Sequence, residues 1–361
     1  MGKNVFFILI AIVVVGSILR FYNLEKKPFW YDEIVTLRES GSPSLYNALN
    51  VNYEEKNPPG YIILMYLARK CVGGSEFILR FSSAIAGILS ILMIFILTEK
   101  LYSYREGLMA AAFSSVSTFY IYCSQEARMY PLLLLFTLFS VLFWIILIKS
   151  RSKNTHAWLW AGYVLSAVFC CYLHYYGVLL IFLQGLAVAL ILKNDRKMIK
   201  KFIFAYLINF LIYLPWIGQM VQHSQTRLFW IPMPKITFFP GFLWRLFNKS
   251  KILLAAACLL YLYLFVKLLY DYFRRHHKPE GSDIFLLAWL VVPFLIMYTV
   301  SLILLPVLIH KYLIISSAPA FILLARSITK LPLNYKIQNT ICLFLIGIFL
   351  YSFFCSGLNY F

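Results

Sequence analysis

The sequence predicts an all-α, polytopic membrane protein, and three observations support that fold class. Of the 361 residues, 62% are hydrophobic and 13% are charged, whereas a soluble domain is typically about 45–50% apolar on a similar count. Apolar runs of about 18 or more residues recur along the chain, and each is long enough to form a transmembrane helix. No period-2 barrel pattern is visible, so we expect each span to satisfy its backbone polar groups as a helix.

About eleven transmembrane helices are predicted. The spans cover residues 4–22, 77–98, 107–122, 131–148, 157–173, 176–192, 202–221, 251–272, 283–305, 311–328 and 338–356. Lys and Arg are concentrated in short connections such as residues 193–201, and short loops rich in these residues stay in the cytoplasm. The N-terminus is therefore predicted to be cytoplasmic. Because no repeat or soluble segment is visible, we expect a single integral membrane domain over residues 1–361.

The formal net charge of +19 raises the question of nucleic-acid binding. In a membrane protein, however, basic residues collect in loops, where they orient the helices and attract lipid headgroups or lipid phosphates. We therefore expect membrane lipids, and no nucleic acid, as partners.

Two long connections are predicted on the extracytoplasmic side. The first outer loop, residues 23–76, contains an apolar segment at 61–68, preceded by Asn57-Pro58-Pro59. Asn is favoured as an N-cap and Pro in the first helical turn, so we expect a helix to start there and to lie at the interface. Its apolar face would enter the lipid, while Arg69 and Lys70 reach headgroups. The second outer loop, residues 222–250, is interpreted either as an interfacial aromatic belt or as a lid over a lipid-facing cavity.

The most unusual segment is FWYDE, residues 29–33, which follows the first span. It contains Asp32 and Glu33, in a chain with only 14 acidic residues. One interpretation is structural, because carboxylates are favoured in the first turn of a helix, where the helix dipole is positive. The other is a functional site just outside the membrane.

Ionisable residues at the outer ends of other helices favour the second interpretation. They are Glu126 and Arg128 in YCSQEARMYP (122–131), His174 and Tyr175 in HYYG (174–177), and His310 and Lys311 in IHKYL (309–313). Individually, they are explained by a local ion pair, an interfacial histidine or a snorkelling lysine. Charges at membrane depth nevertheless tend to mark function, and all of these residues are predicted on the same outer face as Asp32.

This set of residues suits one class of reaction. Two neighbouring carboxylates, such as Asp32 and Glu126, can hold a divalent metal ion, and alternatively one of them can act as a general base on an alcohol. Arginine and lysine can bind a phosphate and stabilise it as a leaving group. Together they suit the transfer of a group from a phospholipid-like donor to a hydroxyl acceptor.

The motifs resemble those of the C-type membrane glycosyltransferase superfamily, specifically the relatives of protein O-mannosyltransferase and lipid A aminoarabinose transferase. The matching stretches are FWYDE (29–33), NPPGYIILMYL (57–67), SEFILRFSSAIAGILSILMIFILTEKLY (75–102), IYCSQEARMYPLLLLF (121–136), LHYYGVLL (173–180) and HKYLIISSAPAFILL (310–324). They extend over most of residues 20–330.

The resemblance implies transfer of a sugar from a polyprenyl-phosphate-linked donor to a hydroxyl acceptor on a glycan, a lipid or a protein, with inversion. It implies a multi-pass protein of the plasma membrane (the bacterial inner membrane) with its active face extracytoplasmic. In that interpretation Asp32 is the general base, Glu33 its neighbour in the motif, and Glu126 shapes the site or binds metal with Asp32. Donor phosphate would meet Arg128, His310 and Lys311, with His174, Tyr175 and Asn57 in support.

Two alternatives come from other functional classes. A transporter or flippase of lipid-linked saccharides would carry ionisable residues near the bilayer midplane and on both faces, often with repeated halves. A non-catalytic subunit of a cell-envelope glycan assembly would tolerate loss of its outer acids. The near absence of midplane charges and of repeats favours the enzyme.

Overall fold

A computed structural model describes residues 2–26, 28–50, 57–150, 155–225, 231–275 and 280–357, and it contains no β-strand in these ranges. The helices are α1 Lys3–Phe21, α2 Tyr31–Ser40, α3 Leu45–Asn50, α4 Gly60–Cys71, α5 Glu76–Leu101, α6 Tyr104–Ser115, α7 Thr118–Ser124, α8 Tyr130–Ser150, α9 Ala157–Leu173, α10 Tyr175–Ile191, α11 Arg196–Gln225, α12 Phe238–Leu246, α13 Lys251–Arg275, α14 Gly281–Ile303, α15 Ala318–Thr329 and α16 Tyr335–Ser352. A 3₁₀ helix, His310–Ser316, precedes α15.

The all-α membrane fold is confirmed. Across the described ranges, seven helices are long and apolar enough to cross a membrane, or eight if the 3₁₀ helix and α15, bent by 55°, count as one span. The helices α9 and α10 are apolar but shorter. The predicted total of eleven is therefore not confirmed.

The predicted span 107–122 is wrong as a continuous helix, because α6 ends at Ser115 and α7 begins at Thr118. The Thr118 backbone N–H donates to Asn248 Oδ1 at 2.7 Å, and the Ser117 hydroxyl donates to the Leu246 carbonyl at 2.9 Å. These bonds satisfy polar groups at the break, so the chain can leave the helical path within a buried region.

The chain divides into two compact units. The first unit comprises residues 1–23, 87–125 and 230–361, and the second comprises residues 24–86 and 126–229. The single membrane domain expected from the sequence stays a prediction. Of the two predicted outer loops, the parts at residues 27, 51–56 and 226–230 lie outside the described residues.

In the second unit, α9 is the central helix and packs against α4, α8, α10 and α11. The helix α4 also packs against α2, and it buries Tyr61, Ile62 and Met65. This corrects the prediction that the apolar face of this segment enters lipid. Close approach of α4 and α9 depends on Gly60, where a Cβ would lie only 2.6 Å from the Tyr172 carbonyl oxygen.

The start of α4 and the role of its last turn also differ from the prediction. The N-cap position is Pro59 and no side chain caps the helix, so Asn57 lies before the helix rather than at its N-cap. Arg69, predicted to reach lipid headgroups, instead donates to the Leu37 carbonyl in the last turn of α2. That carbonyl also accepts the Gly41 backbone N–H at 3.1 Å, so Arg69 adds a charged donor to the C-terminal end of α2.

In the first unit, α6 packs against α1 and α15, and α15 also packs against α13 and α14. Two buried side chains join helix ends on one side of this unit. The Arg20 guanidinium donates to the Ser115 carbonyl at 3.0 Å, and the Gln125 amide donates to the Leu19 and Tyr22 carbonyls at 3.1 and 2.9 Å. We call this side, which is predicted to face outward, the outer end of the first unit.

Candidate active site

The FWYDE motif forms the start of α2 in the second unit. Trp30 occupies the N-cap position, and Asp32 and Glu33 lie in the first helical turn. Both carboxylates benefit from the positive end of the helix dipole there. The structural interpretation, in which acids stabilise the first turn of a helix, therefore applies to this motif. The two carboxylates nevertheless have different surroundings.

Glu33 is fully engaged inside the protein. Arg80 of α5 donates from Nε to Glu33 Oε1 and from Nη2 to Glu33 Oε2, both at 2.8 Å, and the two side chains are each 2% exposed. The backbone N–H groups of Ala127 and Trp30 also donate to this carboxylate, at 2.7 and 3.3 Å. With both oxygens occupied, Glu33 holds the motif in place rather than offering a base to a substrate.

The two acidic motifs meet through these contacts. Ala127, which donates to Glu33, belongs to SQEARMY, and so does Arg128. Arg128 Nη1 donates to the Asp32 carbonyl and to Thr36 Oγ1, each at 3.3 Å, while its Nη2 lies 3.9 Å from Asp32 Oδ2. Arg128 thus links its own loop to the first turn of α2.

Asp32 is the more accessible of the two carboxylates. Its side chain is 32% exposed, against 2% for Glu33. A carboxylate that is fixed at its backbone yet reachable from solvent suits a general base, because a base must come within hydrogen-bond distance of the proton it accepts.

The other predicted residues of the second unit have different surroundings. Glu126 is 4% exposed and precedes Ala127 in the loop that contacts Glu33. His174 is buried between α9 and α10, and its Nδ1 accepts the Tyr176 backbone N–H at 3.1 Å. Burial, and secondly the Arg128 guanidinium, lower the pKa of His174 to about 3, so this histidine is neutral near pH 7.

Tyr175 joins a chain of aromatic polar groups. Its hydroxyl lies 2.8 Å from His223 Nδ1 and accepts the Trp216 Nε1–H at 3.3 Å. The supporting roles assigned to Tyr175 and to the buried Asn57 stay predictions.

His310 and Lys311 belong to the first unit. The His310 ring stacks on Phe238, with ring centroids 4.0 Å apart, and the Lys311 ammonium lies 4.7 Å from the centre of the Tyr122 ring. Their role in phosphate binding stays a prediction.

The predicted metal site is only partly supported by the donor set. Among the described residues, no group of three or more His, Cys, Asp or Glu side chains is arranged to hold a metal ion. Glu33 has both oxygens committed to Arg80, and Asp32 already faces the Arg128 cation. The residues that would hold a metal ion are Asp32 and Glu126, as the sequence predicts.

Sequence reasoning missed two residues that organise the site, Arg80 and Thr36. A signal for Arg80 was available, because an arginine within an apolar helix is costly without a partner. Thr36 gave no comparable signal, since its contact with Arg128 joins residues 92 positions apart.

Part of the chain matches a known protein family. Residues 56–218 match the family described as dolichyl-phosphate-mannose-protein mannosyltransferase. No curated protein matches the chain at the level of sequence.

Solved structures match the fold over nearly the whole chain. ArnT from Cupriavidus metallidurans bound to undecaprenyl phosphate has a TM-score of 0.63 at 13% identity, covering 97% of this chain and 71% of its own. The apo form of that protein has a TM-score of 0.61 at 11% identity over 92% of this chain, which spans 61% of the ArnT chain.

A third structure is the Archaeoglobus fulgidus oligosaccharyltransferase in complex with Zn and sulfate. Its TM-score is 0.63 at 15% identity, and the match covers 96% of this chain and 52% of the oligosaccharyltransferase. The chain therefore shares its fold with these solved transferase structures, and residues 56–218 match the mannosyltransferase family, which confirms the resemblance predicted from its motifs.

Proposed function

We propose that this protein transfers a sugar from a polyprenyl-phosphate-linked donor to a hydroxyl acceptor at the extracytoplasmic face of the membrane. The observation that carries the proposal is the contrast between two adjacent carboxylates. Glu33 is buried and saturated by Arg80, whereas Asp32 is one-third exposed and held at its backbone by Arg128. The similarity to an ArnT structure with bound undecaprenyl phosphate supports the donor class.

The proposed reaction is a direct displacement. The Asp32 carboxylate accepts the proton of the acceptor hydroxyl, and the acceptor oxygen attacks the anomeric carbon of the sugar. The bond from that carbon to the phosphate oxygen breaks, and the lipid phosphate leaves with the electron pair. One displacement inverts the configuration at the anomeric carbon.

Basic side chains support the departing phosphate in this proposal. Lys311 and His310 bind the donor phosphate, and the positive charge of Lys311 offsets the charge that develops as the bond breaks. Arg128 contributes mainly by fixing Asp32, since its three contacts with α2 all involve Asp32 or Thr36. A metal ion held by Asp32 and Glu126 would supply Lewis-acid chemistry when bound.

The test compares membrane extracts from cells that lack the protein and cells that express it. Mass spectrometry of glycolipids, glycans and membrane proteins should detect a product heavier by one sugar residue only with the active protein. Asp32→Asn should abolish this product at equal membrane abundance, because an amide cannot accept the proton. Glu25→Gln is the matched control, since Glu25 is an exposed acid in the same connection, and it should retain the product. Full product formation by Asp32→Asn would remove the proposed base.

A further inference from the structure

The outer end of the first unit has an unusual charge distribution. All five carboxylates of this unit lie at or near its opposite end: Glu99, Glu106, Asp271, Glu280 and Asp283. Among the residues that the structure describes, the charged or basic side chains at the outer end are Arg20, Lys235, Arg245, Lys249, Lys251, His310 and Lys311. Such an end attracts anions, because no internal carboxylate neutralises it.

Within this end, Arg245 belongs to α12. It is half-buried, and no carboxylate lies within ion-pair distance of its guanidinium among the described residues. Its charge instead acts on two other basic groups, His310 and Lys249. Burial, and secondly Arg245, lower the pKa of Lys249. Mutual repulsion between Arg245 and Lys249 is unfavourable, and an anion bound near Arg245 would offset it.

His310 offers a second unmet group beside Arg245. Its Nε2 is buried and has no hydrogen-bond partner in the described residues. The same atom would lie 3.2 Å from a Cβ at position 241, so Gly241 permits α12 to approach the imidazole closely. A buried nitrogen without a partner is costly. A bound anion would favour the protonated imidazole, whose Nε2–H can donate to an anion oxygen.

The surroundings favour an anion carried by a lipid. The helix α12 is anchored through Phe242, whose ring meets the Phe119 ring of α7 edge-on at 6.1 Å. The next helix, α13, exposes Ile252 and Leu259, and such side chains face lipid in a membrane-spanning helix. An apolar chain can therefore lie along α13 while its headgroup reaches the basic end.

We propose that Arg245 and His310 together contact the phosphate of an isoprenoid-type lipid, which adds an unassigned arginine on α12 to the anion-binding residues of this protein. The proposal deepens the proposed function and rests on it for the lipid's role as sugar donor. Arginine suits this position because its planar fork can bind two phosphate oxygens at once.

The test measures binding, and therefore does not depend on sugar transfer. The purified full chain in detergent is titrated with farnesyl phosphate, farnesol or inorganic phosphate, and the shift in unfolding temperature gives the affinity. Wild type should bind farnesyl phosphate more tightly than either farnesol or inorganic phosphate. Arg245→Ala should weaken that binding by about tenfold or more, since a charge-assisted hydrogen bond is lost. Arg245→Lys should recover only part of the wild-type affinity for farnesyl phosphate.

Matched variants distinguish loss of this site from a general loss of positive charge or of sugar transfer. Lys251→Ala removes a cation from the same end and should change the affinity less than about twofold. Gly241→Ala should weaken binding because the added methyl crowds His310 Nε2. Asp32→Asn should bind farnesyl phosphate as wild type does, so loss of transfer and loss of binding are distinguishable.

Three results would overturn the proposal. Unchanged affinity in Arg245→Ala would exclude Arg245, and equal binding of farnesol would exclude the phosphate contact. Equally tight binding of inorganic phosphate would exclude a lipid-borne ligand. If Arg245→Ala unfolds before titration, Arg245→Gln and Gly241→Ala provide the same comparison.

Discussion

Glu33 and Arg80 form a two-point ion pair with both side chains only 2% exposed, and each bond is 2.8 Å long. The pair joins the first turn of α2 to α5, and the same carboxylate accepts the Ala127 N–H from the second motif. Three segments distant in sequence are therefore fixed around one buried charge pair. This arrangement explains why two adjacent acids in FWYDE have different roles.

Removing one member of this pair should be more costly than removing both. Arg80→Met leaves Glu33 buried without its cation, and we expect a loss of about 3–5 kcal/mol in unfolding free energy. The double variant Arg80→Met with Glu33→Gln should be less destabilised than Arg80→Met alone. Thermal and denaturant unfolding in detergent measures both effects.

A control for this prediction is the ion pair of Lys267 and Asp271, which is partly exposed and 4.0 Å long. Asp271→Asn should cost about 0.5 kcal/mol or less. If Arg80→Met is no more destabilising than Asp271→Asn, the Glu33–Arg80 pair does not hold the motifs together.

Thr36 should affect catalysis without touching substrate, if Asp32 is the base. Its hydroxyl accepts from Arg128 Nη1 at 3.3 Å and donates to the Asp32 carbonyl at 3.0 Å. Thr36→Val keeps the shape but removes both bonds, so Arg128 and Asp32 lose a shared anchor. We expect kcat to fall by roughly tenfold with KM nearly unchanged, since small misplacements of a base are expensive.

Thr36→Ser is the conservative partner of that experiment. It restores the hydroxyl, and its kcat should return to within about threefold of wild type. A Thr36→Ser enzyme as slow as Thr36→Val would point to packing of the missing methyl group instead of to the hydrogen bonds.

The motifs could be predicted from sequence, whereas their partners could not. Charges beside apolar spans indicate a site at Asp32, Glu33, Glu126 and Arg128. The structure joins their two motifs, FWYDE and SQEARMY. The division between the two acids depends on Arg80, which is 47 residues from Glu33. No local sequence pattern predicts which of two neighbouring carboxylates will form an ion pair with a distant arginine.

The same limit explains the error at residues 107–122. This run is apolar enough to be predicted as one helix, but its break is stabilised by Asn248, which is 130 residues from Thr118. Asn248 also donates to the Val116 and Phe349 carbonyls, at 3.1 and 3.0 Å. A helix end that is satisfied by tertiary bonds leaves little trace in the hydrophobic pattern.

His174 should make stability depend on pH. Its pKa is about 3 in the folded protein and about 6.5 in an unfolded chain. Above pH 6.5 His174 is neutral in both the folded and the unfolded state, so its protonation does not lower the unfolding free energy. As pH falls below 6.5 only the unfolded state takes up the proton, and the unfolding free energy should drop by about 1.4 kcal/mol per pH unit until pH 3.

Unfolding at pH 7.5 and 5.5 gives the measurement. His174→Gln should reduce the difference in unfolding free energy between pH 7.5 and pH 5.5. His156→Gln, at an exposed position, should leave that difference unchanged. If the unfolding free energy changes equally between the two pH values in wild type and in His174→Gln, His174 is not buried in its neutral form.

Arg326 should support the first unit at the end opposite to His310. Its guanidinium lies 3.3 Å from Glu106, 2.5 Å from Glu280 and 3.3 Å from Asp283, and it stacks over Tyr102 at 4.0 Å. Arg326→Ala leaves these carboxylates facing one another, so we expect a loss of about 3 kcal/mol or more in unfolding free energy. Arg326→Lys should recover part of this lost unfolding free energy, because an ammonium lacks the planar fork with which arginine binds several carboxylates.

Lys330→Ala is the matched control. Among the described residues, the Lys330 ammonium pairs with one carboxylate, Glu280, at 3.6 Å, and its side chain is one-third exposed. It should cost less than about 0.5 kcal/mol. At temperatures where Arg326→Lys stays folded, its affinity for farnesyl phosphate should equal that of wild type, because the substitution lies at the other end of the unit. A weakened affinity in the folded variant would mean that this carboxylate cluster and the basic end are coupled, and that Arg326 does more than stabilise α6, α14 and α15.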